Sequence, residues 1–458
     1  MRSTFAQLSD QISRRELSPV ELTNDCLARI EKLNPKLNAF ITVLSDLALA
    51  DARRAEQEIQ RGNYRGPLHG IPIGLKDLID TAGVRTTAAS AQYIDRIPVE
   101  DAEVVRRLKA AGAIILGKQN LHEFAYGGSS MISNYGEMRN PWDESRITGG
   151  SSGGSAASVA AGFGCAAIGT DTAGSIRLPS AYCGTVGLKP TYGRVSARGV
   201  VPLSWSLDHV GPIADSVYGA AAVLQAIAGY DAADPASADA AVPDFVAALD
   251  RPLPRLRIGV PRSFFFDDLH AEIGAAAEEA IEVFRELHAE IRDVAVDVYA
   301  DRTLATVEAY TFHEEMIANS PELYQPATLA RIRAGTTISA ADALRARREV
   351  DKSRHGIRTV FEKVDLLLTP TVPFPPPSIA ELRANPENLR PTEIVLLRNT
   401  RPFNAWGIPA ISIPCGFTGD GMPIGLQLAA APWREELVLQ AGYAYEQATV
   451  WHKEKPNG

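Results

Sequence analysis

Residues 148–180 read TGGSSGGSAASVAAGFGCAAIGTDTAGSIRLPS. The stretch is built from Gly, Ser, Ala and Thr, with Phe163 its only aromatic residue. Small side chains let backbone segments approach one another and a ligand closely, and Gly reaches positive φ without strain. Two Ser-centred knots stand out, Gly149 to Ser155 and Asp171 to Arg177. Between them Ser155 to Ala161 reads as a helix and Cys165 to Gly169 as a short buried strand. Each knot therefore falls at the end of an element, where backbone N–H groups lack an internal partner.

Several readings compete for such a stretch. Glycine-rich packing is the plainest. A phosphate loop requires a Lys after its last Gly, and none follows here. Gly149, Ser151 and Gly153 satisfy the G-x-S-x-G pattern of a nucleophile elbow, but that motif follows an apolar strand. Here it follows the polar Asn140-Pro141-Trp142-Asp143-Glu144-Ser145-Arg146. A fourth reading draws in Lys76, at the end of the short apolar run His69-Gly70-Ile71-Pro72-Ile73-Gly74-Leu75-Lys76. A Lys surrounded by apolar chain loses hydration and gives up its proton more easily. The neutral amine is a base, which a Ser hydroxyl needs to become a nucleophile.

HGIPIGLKD, then GGSSGGSAA, then TDTAGSIR resemble the amidase signature family of Ser–cis-Ser–Lys hydrolases. The likeness extends to Gly187–Ser196, to Asp208-His209-Val210-Gly211-Pro212, and to GIPAISIP and PIGLQL near the C-terminus. It covers almost the whole chain. It implies one α/β domain over residues 1–458, with a large twisted mixed central sheet covered by helices on both faces. It also implies that Ser175 is the nucleophile and that Ser151 relays a proton between Ser175 and Lys76. The backbone from Asp171 onward can aim successive N–H groups at one point, so Thr172, Ala173 and Gly174 are the expected oxyanion hole. The family usually has a second Gly where this chain has Ala173. Ser152 is expected to orient its neighbours. Tyr126, Gly127 and Gly128 lie where the family pattern runs along the substrate. His209 is expected to be structural.

The 458 residues carry a net charge of −9, with 45% hydrophobic and 22% charged residues, an ordinary balance for a globular protein. Without a Lys/Arg run, a nucleic-acid partner is not expected. Cys26, Cys165, Cys183 and Cys415 are scattered, as reduced buried thiols would be. The spacing of His, Cys and acidic residues suggests no metal site, and the implied chemistry needs no cofactor. The N-terminal segment lacks the apolar core of a secretory signal and no run is long enough to span a membrane, so a cytoplasmic protein is expected.

Working outward, Ser18-Pro19-Val20-Glu21 predicts a capped helix start. Further helices are predicted near 45–60, after Asp101 as cap, over 271–288, several between 303 and 354, and over 434–447. Strands are predicted at 71–75, 113–116, 256–260, 365–369, 410–414 and 424–429. Glu308, Tyr310 and His313 are candidates for a pocket, though packing explains them as well. Arg390, Arg398 and Arg401 read as a solvated face.

The expected reaction is acyl transfer from a small-molecule amide, with esters or carbamates as further substrates, by a stand-alone monomer or homodimer. Tyr126, Met131, Phe403 and Trp406 suggest a moderately bulky, apolar amide. The alternative is the glutaminase subunit of a tRNA-dependent amidotransferase complex. That reading predicts a carboxylate-binding Arg in the variable region and a partner surface.

Overall fold

The computed structural model describes residues 3–456. Its spine is one eleven-stranded mixed sheet. In chain order the strands are β1 (Phe40–Val43), β2 (Pro72–Lys76), β3 (Ile114–Gln119), β4 (Ala166–Asp171), β5 (Val186–Lys189), β6 (His209–Ala214), β7 (Arg257–Val260), β8 (Glu290–Asp293), β9 (Leu366–Pro370), β10 (Ala410–Phe417) and β11 (Pro423–Ala430). Their spatial order is β1-β3-β2-β4-β6-β5-β10-β11-β9-β7-β8. β2 runs parallel to both β3 and β4, and β7 runs parallel to β8 and β9. The other neighbours are antiparallel.

The central strands are buried along their whole length, so they read as short apolar runs without alternation. Helices flank the sheet in two groups. Helices 153–161 and 177–183 pack side by side, and helices 217–227, 271–286 and 435–448 form the second group. Ser18 caps helix Pro19–Leu37 by accepting from the N–H groups of Val20 and Glu21, and Glu21 closes the capping box, as its sequence predicts. Asp101 does not cap the helix that follows it. Helix Glu103–Ala110 starts after Ala102 with no side-chain cap, because the Asp101 carboxylate is taken by the Ala82 N–H and by Lys109.

Two features of this sheet place the chemistry. Because β2 and β4 are parallel, with Leu75 level with Ile168, their C-terminal ends open on the same edge. Lys76 and Thr170 therefore meet there, as ligand-binding groups do at the carboxyl ends of parallel strands. Helix Gly153–Ala161 then lies almost on the backbone of its neighbours. A Cβ on Gly154 would come within 2.4 Å of the Asn120 carbonyl oxygen and 2.5 Å of that of Ala39. The run of small residues is what this close approach requires.

Candidate active site

Lys76 is fully buried, and its Nζ reaches three hydroxyls: Ser151 Oγ at 2.8 Å, Ser152 Oγ at 2.9 Å and Thr170 Oγ1 at 2.8 Å. Burial drives its pKa down from 10.5 to about 7, with Asp208 and Asp171 opposing. The Ser152 hydroxyl donates to the Thr170 carbonyl oxygen at 3.1 Å, so Ser152 meets Lys76 as an acceptor. Neither Ser151 Oγ nor Thr170 Oγ1 has such a second partner among the described residues. The peptide bond between Gly150 and Ser151 is cis.

Two other buried lysines differ in kind. Lys118 donates to the Ile79 carbonyl oxygen and Thr86 Oγ1 and lies 3.6 Å from Asp77. Lys189 donates to the carbonyl oxygens of Pro190 and Ile408. Lys189 holds acceptors that cannot return a proton, and Lys118 sits beside a carboxylate. Lys76 alone of the three is surrounded only by hydroxyls.

The second Ser knot folds around a buried ion pair. Asp171, the last residue of β4, accepts from Arg177 Nε at 3.0 Å and Nη2 at 2.9 Å, and from the N–H groups of Gly174 at 2.8 Å and Ile176 at 3.1 Å. Asn404 Nδ2 adds a contact at 2.8 Å. Burial alone would raise the Asp171 pKa; the Arg177 charge and these bonds hold it below the usual carboxylate range. Arg177 is completed by the Thr400 carbonyl oxygen, Gln427 Oε1 and Asn404 Oδ1. Gly174, at φ +134°, passes Thr400 so closely that a Cβ would lie 2.0 Å from its Oγ1. The sequence marks the knot but assigns no role to this pair.

Ser175 lines a cavity together with Thr172 and Ala173. The Ser152 N–H donates to the Ser175 carbonyl oxygen at 3.2 Å, which ties the two Ser knots together. No hydrogen bond joins the Ser151 and Ser175 hydroxyls among the described residues. The Gly174 N–H is spent on Asp171, whereas those of Thr172 and Ala173 have no such partner among the described residues. His209 Nδ1 faces the carbonyl oxygens of Asp171 and Leu207, away from the Ser–Lys set.

Tyr126 and Gly127 line the cavity; Gly128 lies behind them, against Leu397. Phe403 and Trp406 pack in a separate apolar cluster with Phe265, and Met131 packs on the main core. Glu308 accepts from Ser204 and Ser206, His313 pairs with the Tyr324 hydroxyl, and Tyr310 covers Gly335, so none of the three reaches the cavity. The same helix contributes its first turn instead, Leu304 to Thr306. Arg390 and Arg401 are not the solvated face their polar neighbours suggest. Both line the cavity beside Arg302. Arg302 stands far earlier in the chain than these two and joins them only in the fold.

The Amidase family matches residues 21–439. The chain belongs to the amidase family. This amidase is 43% identical to a Glutamyl-tRNA(Gln) amidotransferase subunit of Trichlorobacter lovleyi, over 99% of this chain and 98% of that protein. It is 41% identical to an amidase of Pseudomonas putida, again over 99% and 98% of the two chains. Among solved structures it resembles a chain of the vestigial protein complex linked to the origins of an s-triazine catabolic enzyme. There the identity is 35%, the TM-score 0.91, and the match covers 97% of this chain and 98% of that one. It is an enzyme that hydrolyses carbon–nitrogen bonds, with the fold of the amidase signature enzymes. Among the described residues no helix is long and apolar enough to cross a membrane.

Proposed function

We propose that the chain cleaves a small amide through an acyl-enzyme on Ser175, with Ser151 as proton relay and Lys76 as base. The observation that carries this reading is a buried Lys76 amine on the Ser151 hydroxyl, below a cavity into which Ser175 opens. Neutral Lys76 takes the Ser151 proton as Ser151 takes that of Ser175. Ser175 Oγ attacks the amide carbonyl. The N–H groups of Thr172, Ala173 and Ser175 receive the oxyanion, each worth about 3 kcal/mol in such sites. Gly174 serves by its conformation, since its N–H holds Asp171. The proton then returns through Ser151 to the leaving nitrogen, and water, activated by the same relay, releases the acid. No residue of this scheme needs a metal or cofactor.

For the substrate, the relatives named as Glutamyl-tRNA(Gln) amidotransferase subunits support glutamine, hydrolysed by a chain that works within a complex. The cavity arginines support it too, because they weigh against the bulky apolar amide that Phe403 and Trp406 suggest. A stand-alone cytoplasmic hydrolase of another small amide is the second reading, supported by the Pseudomonas putida amidase at similar identity. Turnover of glutamine against an anilide on the purified chain separates them. Strong glutamine preference, with a partner chain co-purifying from the native host, is expected if the chain works in a complex. An anilide hydrolysed well without a partner overturns that reading.

A further inference from the structure

Asp208 opens the run Asp208-His209-Val210-Gly211-Pro212, and the scheme above gives it no part. The sheet sets it beside the second Ser knot. In the antiparallel pairing of β4 with β6, Asp171 stands opposite His209. Thr172, just after β4, and Asp208, just before β6, therefore meet at the same end of the sheet. The Thr172 hydroxyl donates to Asp208 Oδ1 at 2.5 Å. Oδ2 accepts from the N–H groups of Leu203 at 2.9 Å and Ser204 at 3.0 Å. In all three contacts the carboxylate is the acceptor, the only role open to it when ionised. Burial raises its pKa to about 6 against the pull of these three bonds, with Glu308 adding to the rise, so it is still ionised at neutral pH. It makes no ion pair among the described residues.

The turn that Asp208 holds carries part of the cavity wall. Leu203 and Leu207 line the cavity with Thr172, Ala173 and Ser175, whereas Asp208 stands behind them. The same turn is fastened again from outside. Glu308 accepts from the Ser204 hydroxyl, and from the Ser206 N–H at 3.1 Å and its hydroxyl. Arg347 Nη1 donates to Ser206 Oγ at 3.0 Å, and Arg354 Nη2 to the Ser206 carbonyl oxygen at 2.7 Å. Those bonds tie the turn to helices 303–319 and 340–360 and leave Thr172 untouched. Among the described residues only Asp208 bonds both the turn and Thr172. A donor stabilises an oxyanion well only when it is fixed beforehand, so that nothing reorganises as charge develops. The peptide between Asp171 and Thr172 is held at its oxygen by Asn404 Nδ2 at 2.8 Å. Its N–H belongs to Thr172, and Asp208 holds that residue from the other side.

We propose that Asp208 is a positioning residue for the oxyanion site: its carboxylate fixes Thr172 through the hydroxyl, so that the Thr172 N–H is set before substrate arrives, and it fixes the Leu203 wall against that residue. The proposal rests on the acyl-enzyme reading above and adds to it a residue that touches no reacting atom.

The test uses the full chain with one amide and one activated ester, since both reactions pass through an oxyanion. Asp208→Ala is expected to lower kcat about 30-fold on both, with KM within about threefold, short of the roughly 10^2–10^3-fold cost of losing an oxyanion donor outright. Thr172→Val keeps the N–H but not the hydroxyl, and should show the same loss. The double variant should be no worse than either single one, the mark of two residues acting through one link. Asp208→Asn should recover most of the lost kcat, because its amide can accept from Leu203 and Ser204 and donate to Thr172 Oγ1. Should Asp208→Ala fold poorly, Thr172→Val alone reads the link. Full kcat in Thr172→Val, a loss confined to KM, or losses that multiply in the double variant overturns the proposal. Fluorophosphonate labelling of the parent chain keeps the two levels apart. Ser175 labelled, with kcat unmoved in the variants, sinks only the positioning role, and absence of Ser175 labelling sinks the acyl-enzyme reading beneath it.

Discussion

The floor of the cavity and its roof are built on opposite terms. In the floor, Lys76 has three hydroxyl partners and the Asp171 carboxylate is held by Arg177, Asn404 and backbone N–H groups. The Asp171 charge is out of water and matched, and the Lys76 amine is out of water with three hydroxyl partners. In the roof, Arg302 and Arg401 have no partner among the described residues and Arg390 has half of one. The floor hangs from the ends of neighbouring strands, β2 and β4. The roof is assembled from three helical segments. A floor with every ionisable group satisfied can hold reacting atoms in one geometry whatever amide arrives. The roof instead carries guanidinium charge that no partner among the described residues fully offsets. Chemistry and selectivity are thus separable in this molecule, and substitutions should fall on one side or the other.

The hardest blow to the floor is Ser175→Ala. Loss of a Ser nucleophile that acts as part of a unit costs about 10^6-fold in kcat, and the loss should be the same for every substrate. Peptide mapping after fluorophosphonate labelling should place the adduct on Ser175 in the parent chain. An adduct on Ser151 would mean that the G-x-S-x-G pattern is the working nucleophile after all.

Lys76→Ala is next, with a loss of about 10^3-fold on amides, within the range of general acid–base catalysis. An activated ester should lose less, because its leaving group needs no proton. Equal losses on both would remove the leaving-group part of the Lys76 role. The pH profile gives a separate check. The active form is the neutral amine, so kcat/KM should fall as pH drops through about 7 and level off above it. That limb should vanish from the residual activity of Lys76→Ala.

Arg177→Met asks whether the floor is matched charge or merely packed. Removing one partner of a buried pair typically destabilises by about 3–5 kcal/mol, because the other charge stays buried alone. The sign with pH follows from Asp171. Its folded pKa lies below the ordinary 3.8, so its contribution is present above pH 3.8 and is lost as pH falls below it. In Arg177→Met the main opposition to burial is gone and only Asn404 and the backbone N–H groups remain, so Asp171 takes a proton more readily and the deficit should narrow toward acid pH. Chemical denaturation at pH 7 and pH 4 reads this directly; a deficit constant with pH would show that volume, not charge, is what Arg177 supplies.

The floor is legible in the sequence and the roof is not, for a physical reason. Lys76, Ser151 and Ser175 each sit in a run whose composition is constrained by close backbone approach, as at Gly154 and Gly174, so the constraint is written locally. The strands beside them are short buried runs bounded by Gly and Pro, and the sheet they form follows. Arg302, Arg390 and Arg401 carry no such local mark. Each stands in or beside a polar helical stretch, and only tertiary packing brings the three to one cavity. Asp171 and Arg177 are visible as residues of the motif, but their pairing needs the turn that their own bonds create. Asp101 fails as a cap because Lys109 and the Ala82 N–H compete for the same carboxylate.

The smallest effect expected is the one that tests where the roof ends. Phe403 and Trp406 share helix 401–406 with Arg401, and the sequence alone suggests an apolar substrate wall. The structure turns them the other way, into a cluster where Phe403 packs on Phe265 and Trp406 at ring distances of 5.7 and 5.0 Å. Trp406 Nε1 donates to the Asp297 carbonyl oxygen at 3.3 Å. It is Asn404 and Ala405, between them, that face the cavity. Phe403→Leu and Trp406→Phe should therefore cost about 1–3 kcal/mol of stability each, the range for trimming well-packed core groups. Relative kcat/KM across amides of different size and charge should stay within about twofold, as for residues that touch no ligand. A tenfold shift away from bulky apolar amides in either variant would put these rings back in the substrate wall. It would also merge the roof with the core behind it.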